Sequence, residues 1–398
     1  MKISKLFHIH LFVFGFLYYL ILPLFIALTE GFIGYPGMHH VYKYFNAEII
    51  FPYTIWVIIL LLSFLAGSLL PLKYTSIAPN SKEIKTDWVI GTRDINLISI
   101  PFFLFGQYTI ISNSDNLFKG YQVDYDTDFM GSIATLNMLF LFFLLYNKGK
   151  QKKNLTSYKI SELYLIGSIL EFSAVLLGLG SRMYIMVPLI SYIIYLLDNR
   201  KISVKKLIIR LSIIILLLLA IGIWRLGDTD FSVDALLYIG VAEPVFTWIS
   251  AESMFSMNSL PLLAFPNNFI TSFINFIPTI LFPSKAEYIN ELTIQYDSPL
   301  GATNVLVSLM GNFGLLGSCI ALFFLGFFLT CIRIQNTSLF IKTYYYCICG
   351  ILPFQLFRDI ISIVNKMLFY NFYIFPFIFI FVEKFITNKY LKKDENNS

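Results

Sequence analysis

Trp224-Arg225-Leu226-Gly227 opens the stretch whose reading decides the fold, and Tyr296-Asp297-Ser298-Pro299-Leu300-Gly301-Ala302-Thr303-Asn304 closes it. Apolar runs of membrane-spanning length precede and follow it. Between its ends Glu243, Glu252, Lys285, Glu287 and Glu291 are scattered among aromatic, Pro and Asn residues. The stretch is too apolar for a flexible linker and too polar for a simple span. It reads as a large, partly embedded extracytoplasmic loop over 224–303, holding short or re-entrant helices and carrying the chemistry.

Outward from it, composition sets the class. Of 398 residues 57% are hydrophobic and only 13% charged, whereas soluble domains are nearer half apolar and a quarter charged. The fold class is therefore all-α, a polytopic helical membrane protein. Helices of about 20 residues are needed to cross the hydrocarbon. Such runs fall at roughly 6–28, 49–70, 94–111, 130–146, 161–179, 183–197, 207–224, 304–332, 341–357 and 367–384, about ten spans. The organisation is N-terminal transmembrane helices over 1–223, the loop over 224–303, C-terminal transmembrane helices over 304–388 and a polar tail over 389–398. The first run lacks a small-residue cleavage site, so it reads as a retained span.

Basic residues orient the chain. Lys148, Lys150, Lys152, Lys153 and Lys159, then Arg200, Lys201, Lys205, Lys206 and Arg210, mark alternate connections, and Lys389, Lys392 and Lys393 mark the tail. The intervening connections are base-poor. This places both termini in the cytoplasm and the 224–303 stretch outside. The net charge of +5 thus reflects topology and not nucleic-acid binding.

Metal chemistry finds no support. The four cysteines lie in or beside apolar runs, and Cys347-Ile348-Cys349 has the wrong spacing for zinc. The acidic 112–129 connection lacks the turn of a calcium loop. Adjacent His39 and His40 are expected to point apart. Asn154-Leu155-Thr156 matches a glycosylation acceptor but falls on the cytoplasmic side. No nucleotide loop, nucleophile elbow or dinucleotide fingerprint is present, and no cofactor is implied.

Charged residues at membrane depth remain, and these are costly enough to suggest function. Arg182 follows Gly180-Ser181 between two spans, Arg225 lies just beyond the seventh span, and Arg358 lies in Phe357-Arg358-Asp359. All three fall on the outer, base-poor side. A guanidinium binds phosphate oxygens through two parallel N–H bonds, so the three suit a lipid-linked diphosphate. The plainer reading is snorkelling at span ends. Glu243 and Glu252, with Glu171 in the fifth span, could serve as a general base on a sugar hydroxyl or pair with one of the arginines. Asp297 suits a turn before Ser298-Pro299.

Gly180-Ser181-Arg182, Arg225 opening the large loop, Ser298-Pro299-Leu300-Gly301-Ala302-Thr303-Asn304, and Gly311-Asn312-Phe313-Gly314-Leu315-Leu316-Gly317 together resemble the Wzy oligosaccharide repeat-unit polymerases of bacteria, which build O-antigen and capsular polysaccharide. The resemblance implies a glycosyltransferase of the plasma (inner) membrane, working at its outer leaflet without metal. The donor is a glycan on undecaprenyl diphosphate, and the acceptor is the terminal sugar of another lipid-linked unit. Arg182, Arg225 and Arg358 would bind the diphosphates, with Arg182 and Arg225 also stabilising the leaving group. Glu243 or Glu252 would take the acceptor proton. Trp224, Phe246 and Trp248 could stack on sugars or form an interfacial belt. Membrane lipid and a chain-length regulator protein are the further candidate partners. Alternatives are an O-antigen ligase, for which a loop histidine is expected and 224–304 has none, and a polysaccharide flippase, which predicts an inverted repeat.

Overall fold

The computed structural model describes residues 5–74, 92–112, 114, 117, 128–150, 156–179, 182–225, 232–256, 260–277, 281–285, 287, 296–297, 303–334 and 339–374. The 298–302 part of the Ser-Pro motif, Gly180, Ser181, Asn154, Glu291, most of the acidic 112–129 connection and the 389–398 tail lie outside the described residues.

The described residues form helices and turns, with no strand among them. In chain order the helices are α1 Phe7–Leu28, α2 Met38–Tyr44, α3 Ile50–Tyr74, α4 Thr92–Ser112, α5 Asp128–Lys150, α6 Thr156–Gly178, α7 Arg182–Asp198, α8 Val204–Arg225, α9 Val233–Ser256, α10 Asn267–Thr271, α11 Val305–Ile334, α12 Leu339–Ile351, α13 Gln355–Arg358 and α14 Ile361–Phe369. Five helical segments among the described residues are long and apolar enough to cross a bilayer: Phe7–Leu28, Ala47–Lys73, Lys205–Ile223, Val233–Ser256 and Val305–Ile334. The first, second, third and fifth coincide with runs read from the sequence. The fourth, 24 residues long, lies inside the stretch read as a loop. With Glu243, Pro244 and Glu252 in its sequence, it does not stand out as an apolar run.

The chain divides into two compact units. The first comprises 1–80, 197–335 and 349–366, and the second 81–196, 336–348 and 367–398. In the second, α6 packs on α4 and α5. Lys148 of α5 pairs with Glu162 of α6 at 3.0 Å.

In the first unit, α3 and α11 pack along much of their lengths. Lipid is as apolar as leucine, so helices in a bilayer associate by close van der Waals packing at small residues and not by hydrophobic exclusion. Gly67 and Gly326 make that approach. A Cβ on Gly67 would fall 1.9 Å from the Phe323 carbonyl oxygen, and one on Gly326 would fall 2.4 Å from that of Phe64. The buried hydroxyl of Thr330 donates to the Ser68 carbonyl at 2.8 Å and lies 3.0 Å from His8 Nε2, tying α1 to the same seam.

One end of this seam is closed by a buried ion pair. Arg333 places Nη2 2.6 Å from Asp198 Oδ1 and Nη1 3.1 Å from Oδ2. Its Nε donates to the Lys5 carbonyl at 3.1 Å, and its guanidinium lies over the Phe7 ring. The rigid fork meets both carboxylate oxygens at once. At the other end of α1, the rings of His39 and His40 lie 3.9 Å apart. They lean together at the start of α2 and do not point apart as the sequence reading expects.

Breaking one partner of a buried pair strands the other charge, at about 3–5 kcal/mol. Arg333→Ala is therefore expected to lower the thermal unfolding midpoint of the purified protein sharply, and Arg333→Lys to recover only part of the loss because it has no fork. Equal stability of wild type and Arg333→Ala in a detergent melt would contradict the buried pair.

Candidate functional site

The site is built around α9, and its prolines explain its geometry. Pro244 has no N–H, so the Gly240 carbonyl four residues back loses its helical partner. In a bilayer such a carbonyl must be satisfied from within the protein. The Tyr18 hydroxyl of α1 donates to it. Pro23 of α1 likewise has no N–H for the Tyr19 carbonyl, and the Asn304 side-chain amide donates there at 3.4 Å. Tyr18 and Tyr19 sit in a wide π-type turn of α1, Leu17–Ile21, a local widening that recurs at functional sites. The Leu20 carbonyl in that turn accepts from the Tyr53 hydroxyl at 2.9 Å.

Glu243 directly precedes Pro244. Its Oε1 lies 2.6 Å from Nε of Arg358, both side chains about one-third exposed. Arg358 ends the short helix α13, whose Phe357 stacks on the buried Tyr19 ring at 6.0 Å. Phe354 meets Tyr18 and Tyr19 edge to face. The tyrosine turn of α1 therefore contacts both the helix that carries Glu243 and the segment that carries Arg358. The structure brings these two sequence-named residues together as an ion pair, one of the two readings open for the carboxylate.

Glu252 lies nine residues further along the same helix and is 1% exposed. Its Oε1 accepts from the backbone N–H of Asn46 at 2.8 Å, where the chain enters the turn before α3. Oε2 has no hydrogen-bond partner among the described residues. Two neighbouring serines anchor the far end of the stretch. Ser250 Oγ accepts from the Asn304 N–H at 2.9 Å, and Ser253 Oγ accepts from the Asp297 N–H at 2.8 Å. Asn304 then caps α11, its Oδ1 accepting from the Leu306 N–H at 3.0 Å, a side-chain role suited to Asn. The start and finish of the Asp297–Asn304 motif are thus pinned to α9.

The remaining candidates divide as follows. Arg182 is the first residue of α7, half-buried, and belongs to the second unit. Arg225 is the last residue of α8 in the first unit, and its side chain, like that of Trp224, lies outside the described residues. Glu171 is on α6 of the second unit, where Gly106 of α4 approaches so closely that a Cβ would fall 2.4 Å from Glu171 Oε2. Asp297 is exposed and offers its backbone to Ser253. Trp248 is corrected from a sugar platform to core: it is 1% exposed, with Tyr53 edge-on at 6.0 Å and Phe45 at 6.1 Å. Phe246 packs against Gly37.

Sequence reasoning missed Tyr18, Tyr19, Asn46, Ser250 and Ser253. The usable signal was a proline in an apolar helix, four residues after Gly240 and again after Tyr19, since each announces an orphan carbonyl that some donor must reach.

Loss of the Tyr18 hydroxyl should leave the Gly240 carbonyl unsatisfied, at about 1–3 kcal/mol. Tyr18→Phe is expected to lower stability in a detergent melt. In a Pro244→Ala background, which returns an N–H to Gly240, the same change is expected to cost almost nothing. Equal costs in both backgrounds would refute the proline account.

With this geometry in place, comparison with known proteins gives one result. A family model described as O-antigen polysaccharide polymerase Wzy matches residues 2–241, more than half of the chain. The match includes Arg182, Arg225 and Tyr18–Tyr19 and stops just before Glu243. No curated protein and no solved structure matches.

Proposed function

The chain belongs to the O-antigen polysaccharide polymerase Wzy family, and from that premise we propose how its residues carry out the transfer. It is a multi-pass membrane protein with an O-antigen polymerase-type, glycosyltransferase-type function. Beyond this, the reading is that it polymerises undecaprenyl-diphosphate-linked repeat units at the outer leaflet of the bacterial plasma membrane. About ten spans with both termini cytoplasmic would put 224–303 outside, with α9 partly embedded.

The Glu243–Arg358 pair, each side chain about one-third exposed, carries the reading, because it sets an acid and a phosphate-binding cation side by side. Glu243 is assigned as the base that takes the acceptor hydroxyl's proton as that oxygen attacks the donor's anomeric carbon. The bond from that carbon to the diphosphate breaks, and undecaprenyl diphosphate leaves with the electron pair. Arg358 orients Glu243 and, with Arg225 and Arg182, binds the diphosphates of the two lipid-linked substrates. Guanidinium charge aimed at the leaving oxygens stabilises the transition state, so the proposal needs no metal. The assignment of Arg182 and Arg225 rests on their sequence positions and on the family match that covers them. Glu252, closed off and holding Asn46, is a positioning residue for the start of α3.

Deleting the gene is expected to collapse the surface-glycan ladder on a gel to one repeat unit, and an intact ladder would rule out polymerase function. Restoring the gene with Glu243→Gln, or with Ala for Arg182, Arg225 or Arg358, should reduce polymer by roughly 10²-fold for each group that acts in the transition state. Wild-type ladders from all of these variants would overturn the residue assignment.

A further inference from the structure

The helix α11 breaks in its middle. Gly314 has φ 74° and ψ −177° inside an otherwise regular helix, a conformation open to glycine and strained for side chains. A Cβ there would also fall 2.8 Å from Cα of Leu263 and from the carbonyl oxygen of Pro261. The backbone groups freed by the break are filled from a neighbouring segment. The Ala264 N–H donates to the Phe313 carbonyl at 3.0 Å, Leu315 N–H to the Pro261 carbonyl at 3.0 Å, and Leu316 N–H to the Leu262 carbonyl at 2.9 Å. Asn312 Oδ1 accepts from the Phe269 N–H at 2.6 Å, and Phe269 packs on Phe313. Further on, Asn365 Nδ2 donates to Ser272 Oγ at 3.2 Å. The arm from Pro261 to Ile277 is therefore pinned to α11 by main-chain bonds at Pro261, Leu262 and Ala264.

Its outer face is apolar. Leu262, Leu263 and Phe265 are each at least 60% exposed, and Ile270 and Phe273 nearly half exposed. No charged residue occurs between Glu252 and Lys285. At the far end Lys285 is itself buried and donates from Nζ to the Ile277 carbonyl at 2.7 Å. Beyond the break, α11 carries its own exposed stripe of Leu316, Ile320, Phe324 and Phe328, one residue per turn. That helix is apolar and long enough to span, so the stripe faces acyl chains. Leu262 is hydrogen-bonded through its carbonyl to Leu316, the first residue of that stripe, which makes the arm's exposed face and the lipid-facing stripe one continuous surface.

We propose that the Pro261–Ile277 arm is a non-spanning, lipid-embedded element whose exposed face contacts the acyl chains of the bilayer. Irregular backbone is tolerated at membrane depth only when its polar groups are satisfied within the protein, and the Gly314 break supplies those partners for Pro261, Leu262 and Ala264. This inference concerns the lipid contact itself and stands apart from the polymerase reading.

The test uses the full-length chain in phosphatidylcholine vesicles, with the four native cysteines replaced by alanine and single spin labels at Leu263→Cys, Phe265→Cys and Phe273→Cys. Collision with oxygen and with a water-soluble nickel chelate is measured at each. Phe324→Cys serves as the lipid reference and the exposed Glu287→Cys as the aqueous one. The expected result is loss of nickel-chelate collision to the level at Phe324, with high oxygen collision. Nickel-chelate collision matching Glu287 would overturn the proposal. So would low collision with both agents together with spin–spin broadening, the sign of a second copy seated on the arm. The readout requires no substrate, so its failure would leave the glycan-ladder result untouched.

Discussion

A backbone polar group inside a bilayer has no water to turn to, and the first unit is arranged around that constraint. At three interruptions a hydrogen bond lost to the helix is met by a specific neighbour. Pro244 strips a partner from Gly240, and Tyr18 supplies one. Pro23 strips one from Tyr19, and Asn304 supplies it. The Gly314 break opens three backbone groups, and the segment from Pro261 to Ala264 closes them. These replacements fix which segments touch, and so fix where Glu243, Arg358 and the end of the Asp297–Asn304 motif lie relative to α9.

The consequence for function is that rigidity and chemistry share the same atoms. The turn that gives up helical hydrogen bonds at Tyr18 and Tyr19 is the turn that contacts Phe354 and Phe357, next to Arg358. Pro244, which removes the helical partner of the Gly240 carbonyl, directly follows Glu243. The proposed base and cation, held this way, keep the fixed geometry that preorganised electrostatic stabilisation asks of a site. Glu252 illustrates the opposite use of a carboxylate. Enclosed and accepting a backbone N–H, it joins α9 to the entry of α3, and its position on the same helix as Glu243 does not give it the same task.

Much of the helical layout was legible in the residues, because long apolar runs such as 6–28, 207–224 and 304–332 dominate any local signal. Glu243 and Arg358 were legible as candidates because charge in such surroundings is expensive. Their pairing was not, since 115 positions separate them along the sequence and no local rule links them. The helix Val233–Ser256 was hidden for a related reason: its carboxylates and proline interrupt the apolar pattern, yet its buried face takes up Ser250, Ser253 and Glu252 with partners from elsewhere in the fold. Trp248 misled because exposure cannot be read from an aromatic's presence. The Gly311–Gly317 motif was quoted as a family signature, while its physical task, a left-handed break filled by another segment, appears only in three dimensions.

The most direct measurement is reconstitution of the purified chain in vesicles with a single chemically defined undecaprenyl-diphosphate-linked repeat unit. The account predicts a ladder of longer glycans, release of undecaprenyl diphosphate for each unit joined, and loss of both with Glu243→Gln in a protein that melts like wild type. Polymer formed at the wild-type rate by Glu243→Gln and by Arg358→Ala would contradict it.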